Sequence, residues 1–405
     1  MRRILPVSAL LLVPLLAHAE PADATMTALA RSSNAFGLDL YRRIHKQGNL
    51  ALSPASIASA LTMTWGGAKA ETAGQMQKVL HLAGSQAEVM ASSGKLATSL
   101  QDPARPVTLR IANRLFGEKS YALEPAYVEA AKAAFGAGVE AVDFKHAADA
   151  ARTRINAWVE ERTEKRITNL IPPRGVDGQT RLVLVNAIYF LGEWASPFTK
   201  ESTHDAAFFV KKGQSRDVPT MHKAESYRYG DAGGLKAVEL PYRGDQMSLL
   251  VLLPNDVDGL EALEKSLDDE KLDAIVASLE RKRVMISLPK FEVNPAEALS
   301  LADLLREMGM ADAFDRDKAD FTGIANPPSR ADRLFISKVF HKAFVRVDEK
   351  GTEAAAATAI IMSRAGSAMQ KAVEFKADHP FLFVLRDNAT GLILFMGRVA
   401  DPSAK

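Results

Sequence analysis

Residues able to do chemistry are present but scattered. The eight histidines form no H-E-x-x-H pair, no serine stands in a G-x-S-x-G elbow, and neither a P-loop nor an EF-hand loop occurs. Cysteine is absent, which excludes thiol catalysis, Cys-ligated zinc and a lipidated-cysteine anchor. Residues 136–141, GAGVEA, imitate a dinucleotide fingerprint. A helical pattern precedes them and a strand-like run follows, the reverse of the order that motif needs, so a helix C-cap on Gly136 or Gly138 is the better reading. Asn388-Ala389-Thr390 matches a glycosylation sequon, a pattern short enough to arise by chance. No metal and no cofactor is expected. One stretch remains without an assignment: EKGTEAAAATAIIMSRAG, residues 349–366. Its alanine run favours a helix, yet it contains Gly351, ends in small polar residues and follows a run that looks like a strand.

The surrounding elements alternate without a break. Apolar residues recur at helical spacing over about 26–47, 54–65, 70–80, 125–136, 148–166, 259–280 and 296–309. Strand-like runs lie between and after them: VTLRIANRLF, LVLVNAIYFL, LKAVELPY, MSLLVLLP, VMISLPKF, LFISKVFHKAFVRVDE, PFLFVL and LILFMG. No linker-like composition and no internal repeat divides the chain, so a single α+β unit is expected over residues 20–405.

The 405 residues are 47% hydrophobic and 25% charged, the composition of a globular chain with a large core. The first twenty, MRRILPVSALLLVPLLAHAE, join two arginines, a short apolar run and an Ala17-His18-Ala19 ending. They read as a Sec signal peptide cut after Ala19, which predicts a secreted or periplasmic protein. Cutting there removes two arginines and leaves 49 basic against 49 acidic residues. That balance argues against nucleic acid or an anionic membrane as partner, and the short basic runs at Arg281-Lys282-Arg283 and Lys165-Arg166 read as solvated faces.

The ordered blocks NLALSPASIASALTMTWGGAKAET, IANRLF, INAWVEERTEKRITNLI, LVLVNAIYFLGEWASPF, ELPYRGDQMSLLVLLP, LPKFEV, ISKVFHKAFVRVDEKGTEAAAATA and FKADHPFLFVLRDNATGLILFMGRV resemble a serpin along almost the whole mature length. The resemblance, with the signal peptide, points to an exported bacterial-type inhibitory serpin. It implies three β-sheets, eight or nine helices and an exposed reactive loop over about 349–372. It also implies a monomer that inhibits serine, and possibly cysteine, proteases through a covalent acyl complex, with no catalytic residue of its own. The competing reading is a non-inhibitory serpin acting as a binding or storage protein.

In the family the run after VRVDE is the hinge of the reactive loop, exposed at first and inserted into the central sheet after cleavage. The hinge here comprises Glu349, Gly351, Thr352, Glu353, Ala354, Ala355, Ala356, Ala357 and Thr358. Strand alternation fits that role. If Thr352, Ala354, Ala356, Thr358 and Ile360 face inward, the inward set is uncharged and small at its leading end. Gly351 is expected to serve as a flexible pivot. Thr352 is expected at the exposed or barely inserted base of the uncut loop, where even arginine would stay solvated. Glu349 to Ala365 spans the family's seventeen residues, making Ala365-Gly366 the reactive bond and an elastase- or subtilisin-like protease the target. A register one residue shorter gives Arg364-Ala365 and a trypsin-like target. Ser53, Ser56, Asn186 and His341 match the polar shutter cluster beneath the sheet, Trp194 matches the breach where the loop enters, and Glu349 with Lys290 can form an ion pair at the loop's base.

Overall fold

The computed structural model describes residues 23–44, 47–136, 138–352 and 371–404. Nine α-helices surround two hydrogen-bonded strand networks among these residues. The expected three sheets appear as three strand groups, two of which are joined by the 19-residue strand Gln214–Ala232. Its first part pairs with Thr203–Lys211 and its last part with Leu235–Pro241, while Glu280–Pro289 lies along its other edge. The third group is the one that positions the site. In it Leu182–Glu193 runs between the antiparallel strand Val107–Glu118 and the parallel strand Lys338–Ala343.

Leu182–Glu193 is apolar nearly throughout because both of its faces are covered. Val183, Val185 and Ala187 pack with Ile155, Trp158 and Val159 of the helix Phe144–Arg162. Leu182 and Leu184, on the opposite side, enter the main core with Ile57 and Leu61 of the helix Pro54–Trp65. That helix lies inside the molecule with 11 of its 12 residues buried. Pro54 opens it where a missing N–H costs nothing, and the Ser53 hydroxyl caps it.

The helix Pro125–Phe135 ends at Gly136 in the left-handed region, with φ 65°, and the strand Val139–Val142 follows; the cap reading of GAGVEA holds. Elsewhere the helical patterns run long. The first helix is Ala24–Tyr41, the 259–280 pattern is two helices, Leu260–Ser266 and Asp269–Ser278, and only Ala302–Met308 of the 296–309 pattern is helical. The helix Gln86–Leu100 has no counterpart in the sequence reading.

Candidate functional site

The edge of Leu182–Glu193 that faces Lys338–Ala343 is closed along six residue pairs, Lys338 with Val183 through Ala343 with Ile188. Beyond Ile188 the partners part, and Val345–Val347, paired along its far edge with Phe291–Val293, no longer meets Leu182–Glu193. Into the resulting fork fits the short strand Gly351–Thr352. Gly351 lies opposite Glu193, and Thr352 lies opposite both Gly192 and Val347.

At the closed part His341 lies opposite Asn186, and both are fully buried. Burial pushes the imidazole pKa down to about 3, so His341 is neutral and holds one ring proton. Its two contacts fix which. Nε2 accepts from the Ser53 backbone N–H at 3.0 Å, so Nδ1 donates to Asn186 Oδ1 at 2.7 Å. Asn186 Nδ2 in turn donates to Asn113 Oδ1 at 2.8 Å, which also accepts the Ser56 hydroxyl at 3.1 Å. Three strands and one helix start are thereby linked through buried polar groups that satisfy one another. The expected set Ser53, Ser56, Asn186 and His341 is brought together. Asn113 completes it and was missed, although an asparagine inside the apolar strand run IANRLF was the available signal.

At the open end Trp194 holds the base of the loop. Its indole Nε1 donates to Asp348 O at 2.9 Å and its backbone N–H to Lys350 O at 2.8 Å. The ring stacks on Tyr242 with centroids 4.6 Å apart and 14° between planes. Tyr242, which the sequence reading passed over, shares a hydrogen bond of 2.5 Å between its hydroxyl and that of Thr352. Glu349 pairs with Lys290 at 3.0 Å and is itself buried. Burial works to raise its carboxyl, but its own backbone N–H and the Lys290 ammonium, by hydrogen bond and by charge, outweigh that and hold it below the usual range.

Two expectations about the hinge are corrected. Of the exposed or barely inserted base expected for Thr352, the barely inserted one is found, in a strand of two residues, but an arginine there would not be solvated: Thr352 is 2% exposed, paired on both sides and bonded to Tyr242. It turns inward, as the alternation required. Gly351 is not a free pivot either. A Cβ there would stand 2.0 Å from Gly192 O and 2.8 Å from Glu193 Cα, so glycine is needed for close approach of two backbones. Glu353, Ala354, Ala355, Ala356, Ala357, Thr358, Arg364, Ala365 and Gly366, like the signal sequence 1–19, lie outside the described residues.

A family model described as Serpin (serine protease inhibitor) matches residues 31–402. Human Serpin B3 is 40% identical over 398 residues, covering 93% of this chain and all of its own length. Human leukocyte elastase inhibitor is 39% identical over 388 residues with the same coverage. The crystal structure of Serpin48, a highly specific serpin of the insect Tenebrio molitor, superposes with a TM-score of 0.83 at 30% identity, covering 94% of this chain and 100% of that one.

Proposed function

We propose, from the premise that this chain belongs to the serpin family of serine protease inhibitors, that it traps its target irreversibly by inserting a cleaved reactive loop into the fork described above. It is an inhibitor and not an enzyme. The observation that carries the reading is the pairing of Gly351–Thr352 at the mouth of a sheet whose next pairs are parallel and can be replaced.

Extending that register two residues at a time gives the path. Ala354 would come between Phe190 and Val345, and Ala356 between Ile188 and Ala343, all four of them buried apolar residues. Thr358 would then arrive between Asn186 and His341, and Ile360 between Leu184 and Val339. A small methyl suits the apolar positions. A hydroxyl suits the polar one, since it donates and accepts and so replaces the bond that parting the strands breaks. About a dozen inserted residues with backbone bonds on both sides, each about 1 kcal/mol net, give on the order of 10–20 kcal/mol. The uncut form is then a kinetically held state. A protease caught as its acyl-enzyme is dragged along the sheet before water releases it.

The target reading rests on Ala365. A small residue before the reactive bond suits an elastase- or subtilisin-like primary pocket, and one relative is by name a leukocyte elastase inhibitor. Arg364 keeps a trypsin-like target as the alternative. Incubation with an elastase, a subtilisin and a trypsin, followed by a denaturing gel and sequencing of the released peptide, tests both. Absence of any stable complex with cleavage of the loop would leave the binding or storage reading. We also propose Sec export with removal of residues 1–19, and with it the exported bacterial-type reading, which the animal relatives above do not carry. N-terminal sequencing of the secreted chain starting at Glu20 would support the cleavage.

A further inference from the structure

The basic run Arg281-Lys282-Arg283 lies on the strand Glu280–Pro289, where alternation sorts its side chains. Val284, Ile286 and Leu288 turn inward and are buried, whereas Arg281, Arg283 and Met285 are exposed. Met285 is 50% exposed, and among the described residues only it and Phe209 are exposed large apolar side chains. Its cross-strand neighbour is Ala224, and that of Arg283 is Ser226, both exposed. Small side chains on that flank leave the methionine uncovered.

Charge on this face is unevenly compensated. Glu374 pairs with Lys376 at 2.8 Å and Glu280 with Lys282 at 3.2 Å. Arg281 and Arg283 make no hydrogen bond or ion pair among the described residues. Either feature alone is ordinary surface. An exposed methionine with two uncompensated guanidinium groups on the same side of one strand has the make-up of a docking face, in which Met and Arg are enriched and an apolar centre lies within a polar rim.

The strand paired with it indicates what covers it. Val373–Lys376 runs beside Glu280–Pro289, with Val373 opposite Val284 and Glu374 opposite Met285. Gly366, on the far side of the reactive bond, precedes Val373 by seven residues, a reach of at most about 25 Å. A protease domain of about 230 residues has a radius of gyration of about 17 Å, hence a diameter of about 45 Å. A protease holding that bond is tied to this face by a tether shorter than its own width.

We propose that this face is a second docking surface for the target protease, taking carboxylates beside the protease's cleft on Arg281 and Arg283 and an apolar side chain on Met285. The inference rests on the inhibitory reading above and names a property its partner must have, an acidic rim. The contact acts before the loop is cut. It speeds encounter and leaves the later contest between insertion and hydrolysis unchanged.

The test uses whichever of elastase, subtilisin and trypsin forms the complex, with association rate and stoichiometry of inhibition measured at about 50 and about 500 mM NaCl. The wild-type rate should fall about tenfold between the two salts. Arg283→Glu should lower it about tenfold at low salt and flatten the salt dependence, and Met285→Ala should lower it about threefold at both salts. The loss should fall on the rate and not on the stoichiometry, and both thermal midpoints should stay within about a degree of wild type because the side chains are exposed. A synthetic peptide of residues 353–370 carries the loop's own charges without the face, and salt should change its hydrolysis by the same protease less than about twofold. The proposal is overturned, with the inhibitory reading intact, if the complex forms at rates that neither substitution alters, or if the peptide matches the protein's salt dependence. A rise in stoichiometry would place these residues in loop insertion and overturn it too. So would a sedimentation coefficient of the free protein that falls on Met285→Ala, which would assign the face to a second copy of the chain. Absence of a complex with all three proteases overturns the inhibitory reading and this proposal with it.

Discussion

Replacing Thr352 by arginine would force the intact protein to choose between two costs. If Gly351–Thr352 stays paired, a guanidinium takes the place of a side chain that is 2% exposed, and an unpaired charge there costs several kcal/mol. If the segment leaves the fork, the pairings of Gly351 with Glu193 and of Thr352 with Gly192 and Val347 are lost. At about 1 kcal/mol each these sum to about 3 kcal/mol, and the Tyr242 hydroxyl, left buried and unpartnered, adds about 1–3 kcal/mol. Either route costs at least about 4 kcal/mol. With about 2.1 cal/mol/K of unfolding entropy per residue, a chain this long shifts by about 1 °C per kcal/mol, so the uncut variant should melt about 5 °C below wild type. On the insertion reading, a segment expelled from the fork must bring this side chain back into the sheet, and one still paired carries its charge into the inserted state, so the stoichiometry of inhibition should rise severalfold and cleaved serpin should accumulate. Thr352→Val separates the two effects. It loses only the Tyr242 bond, should melt a few degrees low, and should still insert. The assay is differential scanning calorimetry of uncut protein beside titration against one fixed protease. An arginine variant that melts within a degree of wild type would show that Thr352 is not held in the sheet. One that also inhibits at wild-type stoichiometry would refute the insertion reading itself.

Ala365→Arg should raise the association rate with trypsin and lower it with elastase, since the residue before the reactive bond fills the primary pocket; an unchanged elastase rate, with trypsin inhibition abolished by Arg364→Ala, would move the bond by one residue. Nicking the loop without a trapped protease should raise the thermal midpoint by tens of degrees, and coincident midpoints would place the protein among non-inhibitory members. His341 has a folded pKa of about 3, below its unfolded 6.5, so the stability it confers is full above pH 6.5 and is lost as pH falls towards 3. The loss is about 1.4 kcal/mol per unit, or about 2 kcal/mol at pH 5. Unfolding midpoints from pH 7.5 to 5 should therefore fall less steeply in His341→Gln, and parallel curves would mean that the imidazole is not buried neutral.

What the chain disclosed in advance follows from where its signals lie. Buried strands such as Leu182–Glu193 are apolar on both faces and announce themselves. Polar residues set inside such runs, Asn186 and His341, mark a buried cluster whose members must find one another. Thr203–Lys211 and most of Gln214–Ala232 are exposed on alternate or successive positions and offer no apolar run, so they went unseen. The helix Gln86–Leu100 contains Ser92, Ser93, Gly94 and Ser99, weak helix formers; its one clear mark was the capping box of Ser85 with Glu88. Tyr242 was hidden because an aromatic at the end of a strand is ordinary core. The burial of Thr352 was hidden for a deeper reason. Its sequence suits a position inside the sheet and one outside it equally well, and backbone pairing decides which is occupied.

The fork also sets a race during folding. Val347 and Thr352 are five residues apart in the chain, whereas His341 and Asn186, which close the sheet below them, are 155 apart. Short hairpins form in microseconds, while contacts across long stretches of chain wait for slow loop closure. On the insertion reading proposed above, a nascent molecule that zips the hairpin onward from Thr352 before the distant parallel strands meet would be born in the spent form. The yield of active inhibitor becomes a ratio of two rates rather than a stability. Refolding from denaturant over a range of temperatures, with active molecules counted by protease titration, would measure it; Asn186→Ala, which removes one side of the closing contact, should lower the active fraction.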